Sequence, residues 1–214
     1  MSDDQVGRGF YFVGDRLWLD FVNTHVMEGG QTVDLLGGFG DLAAWCVGAR
    51  IIDAAQAQAL VRRGGSRGEA EHAFRQAVGL RHKLRDMAHR LAEGRTDVRQ
   101  STLGGINDAL RARAGELVVV RTKGTYETRF RPRYDEARHL LVPIAESAAD
   151  LLSHGDLALV RKCQNPRCIL YFYDTTKNHG RRWCSMTACG NRAKVAAHYR
   201  RTRPAALPPS RTSR

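Results

Sequence analysis

Four of the chain's five cysteines, Cys163, Cys168, Cys184 and Cys189, fall within a span of 27 residues. Their spacing is C-x4-C, fifteen residues, then C-x4-C, a two-knuckle pattern that brings four thiolates around one tetrahedral ion. Zinc is the ion expected, one per chain and structural, because four sulfurs already complete a closed site. His179 and His198 lie near the cysteines but are read as exposed or phosphate-contacting side chains. The first dozen residues contain Asp3 and Asp4 and no apolar core segment, and no run of eighteen apolar residues occurs. Neither a secretory signal nor a membrane span is therefore expected. The expected location is cytoplasmic and nucleoid-associated, a reducing compartment where disulfides do not persist and clustered thiols serve metal ligation. Redox thiols and an iron–sulfur cluster are the alternatives. Cys46, beside Trp45, is read as a buried core thiol.

Charge sets the same segment apart. The 214 residues carry 34 Lys plus Arg against 22 Asp plus Glu, a net +12. Residues 161–214 hold 13 of those bases and a single acid, Asp174, whereas residues 1–160 hold 21 of each. A basic segment on a neutral body calls for a polyanionic partner, most often nucleic acid, with a solubilising basic tail as the alternative.

Around the ligands, residues 169–173 are β-branched and aromatic and predict a strand, and residues 174–180 predict a polar turn. Residues 181–183 are expected to return as a second strand, and a helix is expected from Ser185 to Arg201, before Pro204. Apolar residues are too few for an independent core, so metal binding is expected to supply most of this module's folding energy, on the order of 10 kcal/mol. Lys177, Arg181 and Arg182 on the hairpin, and Arg192, Lys194, His198, Arg200 and Arg201 on the helix, are candidate phosphate contacts. Asn191 and Arg192, near the helix start, are candidates for adenine and guanine edges. Trp183, Tyr171, Phe172 and Tyr173 could stack on bases, but beside zinc ligands they are read as a miniature core. Residues 204–214, with three prolines, predict a disordered tail.

The N-terminal body reads as mainly helical. Ala70, Phe74, Ala77, Val78, Leu84, Met87, Ala88 and Leu91 repeat near a 3.6-residue period over residues 69–93, and Gly94 is a stop. Shorter helices are expected over 41–47, 53–63 with Asp53 as N-cap, 101–113 and 143–152. Residues 117–120 and 126–130 around Lys123-Gly124 predict a hairpin, so the fold class is α+β. Residues 10–23 fit either a strand or a helix. Asp20, Asn23 and Thr24 form a polar group that either lines a pocket for a small effector or caps and turns the chain, the second being favoured. The glycines lack phosphate-loop spacing, no G-x-S-x-G or H-E-x-x-H occurs, and His72, His82 and His89 are too far apart for one metal. An enzyme is not expected.

The run Arg181-Arg182-Trp183-Cys184-Ser185-Met186, followed by Cys189-Gly190-Asn191-Arg192 and Lys194, resembles the CGNR zinc finger. Upstream, Leu19-Asp20-Phe21-Val22-Asn23-Thr24, with Asp41-Leu42-Ala43-Ala44-Trp45, resembles the ABATE domain that precedes this finger in bacterial proteins regarded as stress-induced transcription regulators. The resemblance implies an ABATE-like sensor domain over 1–155 and a finger over 158–203. It implies a regulator that binds DNA, with a body that senses a small-molecule effector or assembles as a homodimer, and it carries over no catalytic residue. A zinc-stabilised module for RNA or protein interaction, without promoter recognition, is the alternative.

Overall fold

The computed structural model describes residues 9–64, 68–192 and 194–195. It is mixed α+β: α1 (Leu17–Val22), β1 (His25–Glu28), β2 (Gln31–Asp34), α2 (Phe39–Gly48), α3 (Ala54–Gly64), α4 (Glu69–Ala92) and α5 (Gln100–Leu110) come first. There follow β3 (Gly115–Thr122), β4 (Thr125–Pro132), α6 (Val142–His154), β5 (Val160–Lys162) and β6 (Tyr171–Tyr173). Each sheet is a two-stranded antiparallel pair. Among the described residues no helix is long and apolar enough to cross a membrane.

The long helix organises the body. Ala73, Ala77, Leu80, Leu84, Met87, Ala88 and Leu91 recur every three or four residues and are buried, which gives α4 one continuous apolar face. Helices α1, α2, α3 and α5 and strand β5 all pack against it. Trp18, Phe21 and Trp45 are fully buried, with the Phe21 and Trp45 ring centroids 5.2 Å apart. Cys46 lies in this core and burial pushes its thiol pKa far up, so it is inert as a nucleophile. His72, His82 and His89 are exposed on α4.

Local chemistry sets the element ends. Asp53 Oδ1 accepts from Gln56 N at 2.7 Å and Gln56 Oε1 accepts from Asp53 N at 2.9 Å, a capping box that starts α3. Lys123 and Gly124 both have positive φ, the turn geometry that matches strand twist in a two-residue hairpin. Gly29 and Gly30 do the same between β1 and β2, a hairpin the sequence reading did not anticipate. Residues 10–23 resolve into an irregular stretch that turns at Asp15, with φ of 56°, into α1.

One expected strand is corrected. Residues 181–183 form no strand; β6 pairs instead with β5, in the register Val160↔Tyr173, Arg161↔Phe172 and Lys162↔Tyr171. The first knuckle is itself the turn of this hairpin, because Cys163 N donates to Leu170 O and continues the ladder across it. Residues 181–183 return beside the knuckle, joined to it through Gln164 N donating to Arg182 O. The expected tail at 204–214 lies outside the described residues.

Candidate metal centre

Each knuckle is closed by its own polar residues. In the first, Asn165 O accepts from Cys168 N at 2.9 Å and Asn165 Oδ1 accepts from Arg167 N at 3.0 Å, an Asx turn that folds the two cysteines back on one another. Asn165 Nδ2 also donates to Cys189 Sγ at 3.3 Å, linking this knuckle to a sulfur of the other. In the second, Ser185 O accepts from both Cys189 N and Gly190 N at 3.0 Å, winding residues Met186–Gly190 into one wide turn. Gly190 is tightly packed: a Cβ there would lie 2.8 Å from Met186 Sδ and 3.2 Å from Trp183 Cδ1, so the Met186 side chain would have to move.

The four Sγ atoms lie within 4.8 Å of one another, with Cys168 to Cys184 and Cys184 to Cys189 both 3.7 Å apart. A tetrahedron with metal–sulfur bonds of about 2.3 Å has edges of about 3.8 Å, a length the Cys168–Cys184 and Cys184–Cys189 edges already have, so the donor set suits zinc. Cys163, Cys184 and Cys189 are buried and Cys168 is half-buried. Thiols this close compete for protons: contacts from Cys168 and Cys184 push the Cys163 thiol down, while the contact with Cys163 pushes Cys168 up. A divalent ion takes the place of those protons and cross-links the two knuckles. With four sulfur ligands the site is closed, so the zinc supplies folding rather than reaction chemistry.

The cysteines do not pack alone. Their apolar cluster contains Leu170 and Phe172 of the finger, and also Val26, with Tyr11, Val13, Val33 and Leu35 of the body packed against it. Alternation along β6 sends Phe172 toward the sulfurs and Tyr171 and Tyr173 into the main core. The free edge of β6 is covered by side chain and loop rather than by a strand. Asn23 Nδ2 donates to Tyr171 O at 2.8 Å, Asn23 Oδ1 accepts from Tyr171 N at 2.9 Å, and Tyr173 N donates to Gly14 O at 2.8 Å. Arg85 reaches Ile169 O at 3.3 Å from α4. Tyr171, Phe172 and Tyr173 thus form core, with Trp183 half-buried at its margin.

The polar group Asp20, Asn23 and Thr24 is buried. Asp20 Oδ1 accepts from Gly14 N at 2.7 Å, and burial raises its pKa to about 7 against the lowering effect of that bond. Thr24 Oγ1 donates to Phe21 O at 2.8 Å and accepts from Arg81 at 2.7 Å, and Arg81 forms a two-pronged pair with Asp34. These bonds match the capping-and-turning alternative, with Asn23 extending it into a tie to the finger.

The candidate nucleic-acid residues divide. Lys177 and Arg182 are exposed in the loop after β6, Arg182 Nε donating to Gln164 Oε1 at 2.7 Å. Asn191, Arg192 and Lys194 are exposed on a helical segment that begins directly after the second knuckle. Arg181 is engaged inside the molecule. Its guanidinium lies 4.3 Å from the Phe172 ring centroid, donates to Cys184 O at 2.7 Å and Val13 O at 2.8 Å, and pairs with Asp15. His198, Arg200 and Arg201 lie outside the described residues. His179 is exposed, with its Nδ1 3.4 Å from Asp174 O, and takes no part in the sulfur cluster. Arg161 and Lys162 on β5 and Arg167 in the first knuckle, counted in the basic segment but not named among the candidate phosphate contacts, are also exposed.

Residues 160–202 match the CGNR zinc finger family. Among curated proteins none matches the chain. Residues 15–155 match the ABATE family, described as "Putative stress-induced transcription regulator". Since that match covers well over half of the 214 residues, the protein belongs to the ABATE family and carries a CGNR zinc finger behind the ABATE region.

Proposed function

We propose that this protein binds duplex DNA through its zinc finger, and that the N-terminal domain senses a signal or mediates assembly. One observation carries the reading. Among the described residues of the finger, Arg161, Lys162, Arg167, Lys177, Arg182, Arg192 and Lys194 are all exposed, while Asp174, the single acid of residues 161–214, is buried. Asp174 stays ionised inside: burial opposes its charge, but hydrogen bonds from Thr176 and Arg181 N hold its pKa below the usual carboxylate value. Among the described residues the finger therefore exposes bases and no acid, the condition for docking on phosphates. Asn191 and Arg192 stand where the chain leaves the metal centre as a helix, and they are the proposed readers of adenine and guanine edges. Zinc fixes the knuckles and so fixes where that helix starts.

Fluorescence anisotropy on duplex DNA over a salt series tests this. Binding should weaken steeply with salt, and Arg192→Ala/Lys194→Ala should reduce affinity by roughly tenfold or more with a slope shallower by about 2. Salt-insensitive binding, or none, would overturn it. Capture of structured RNA that survives excess duplex would instead support an RNA-binding module.

A further inference from the structure

The hairpin β3–β4 takes no part in the metal centre. Among the described residues its strands are the longest, eight residues each, and no other element packs broadly against it. Leu117, Val119 and Tyr126 are 70%, 69% and 73% exposed. Eight-residue strands reach about 26 Å, and a two-stranded ribbon is of a width the major groove of B-DNA admits. The register Leu117↔Phe130, Val119↔Thr128 and Arg121↔Tyr126 places these six on one face.

The charge of the arm picks out the partner. Residues 115–133 hold five bases and two acids, which leaves the rest of residues 1–160 with 16 bases and 19 acids. The body is thus net acidic apart from this arm. Within the arm, Arg129 pairs with Glu127 and Arg133 with Asp135. Arg121, Lys123 and Arg131 have no ion-pair partner among the described residues, and two of the three sit at the distal end with Tyr126.

From this we infer that β3–β4 is a second contact to duplex DNA. Arg121, Lys123 and Arg131 neutralise phosphates, while Leu117, Val119 and Tyr126 supply the apolar and aromatic surface that meets base edges and sugars in a groove. The inference rests on the reading of the finger as a duplex binder, to which it adds a separate point of attachment.

The test uses the full-length zinc-loaded protein and a 30-base-pair duplex, with Arg121→Ala/Lys123→Ala/Arg131→Ala compared with the unaltered chain over a salt series. The expected result is a loss of about tenfold in affinity at moderate salt and a log–log salt slope shallower by about 2 to 3, with zinc content and thermal midpoint unchanged. Identical affinity and slope in the triple variant would overturn the arm's role while leaving the finger's intact. Failure of the unaltered chain to bind any duplex would overturn both. Sedimentation of Leu117→Ser/Val119→Ser supplies the remaining check: a dimer that this variant dissociates, with an unchanged salt slope, would assign the arm to a second copy of the chain and overturn the inference.

Discussion

The two hairpins β3–β4 and β5–β6 use the same antiparallel pairing and reach opposite outcomes. The first has eight residues per strand and lies open to solvent; the second has three per strand, and all of β6 is buried. An isolated two-stranded ribbon is marginal in water whatever its length, so ladder length does not decide which is firmly held. What holds β5–β6 is a layer on each side: the four cysteines with Tyr11 and Val13 on the Phe172 face, and the main core, with α1 and α4, on the face of Tyr171 and Tyr173. The longer hairpin is held mainly by its own ladder, with the Arg113 guanidinium 3.7 Å above Phe130 near its base.

Substitutions should separate the two hairpins sharply. Cys184→Ser is the severest: zinc content should fall from one per chain to none and β5–β6 should lose its structure, a loss on the order of 10 kcal/mol of metal-linked folding energy. Amide protection in β3–β4 should not change. Phe172→Ala empties the space between sulfurs and body and should cost about 3–5 kcal/mol in denaturant unfolding. Asn23→Ala leaves Tyr171 N–H and C=O without partners at the edge of β6 and should cost about 2–4 kcal/mol; a loss below about 0.5 kcal/mol would mean that the amide bracket does not hold the hairpin.

Asp20 adds a pH dependence to the inner hairpin, because it holds Gly14, whose carbonyl accepts from Tyr173. Its folded pKa is raised to about 7 from 3.8, so between those values the native state binds the extra proton. Stability from this group is then full at low pH and falls as pH rises through that window, by at most about 1.4 kcal/mol per pH unit. Asp20→Asn should flatten that slope in thermal melts between pH 4 and 7; an unchanged slope would reject the assignment. The smallest effect belongs to the outer hairpin, where Leu117→Ser should shift stability by no more than about 0.5 kcal/mol.

Local signals carried a good part of this molecule. The helical period of α4, the Asp53 cap and the Lys123-Gly124 turn are each decided within a few residues, and the structure has the helix, the cap and the turn there, with Ala73 and Leu80 added to the buried face of α4. The four cysteines were equally legible, since ligand spacing is a property of sequence. Pairing across the first knuckle was not, because β5 is too short to show alternation and its choice of partner depends on the body that covers β6. Nor could a count of charges reveal that Arg181 turns inward while Arg182, its neighbour, faces water. The shortage of apolar residues in the finger was visible, but its remedy was not: Tyr11, Val13, Val26 and Val33 arrive from more than 120 positions away.

Native-state hydrogen exchange of the full chain, before and after zinc is stripped by a chelator, tests most directly whether metal centre and body form one cooperative unit. The amides of Cys163, Tyr171, Tyr173 and Gly14 should lose protection together on stripping, while the β3–β4 ladder exchanges as before. Protection of Tyr171 and Tyr173 that survives removal of the metal would contradict the account.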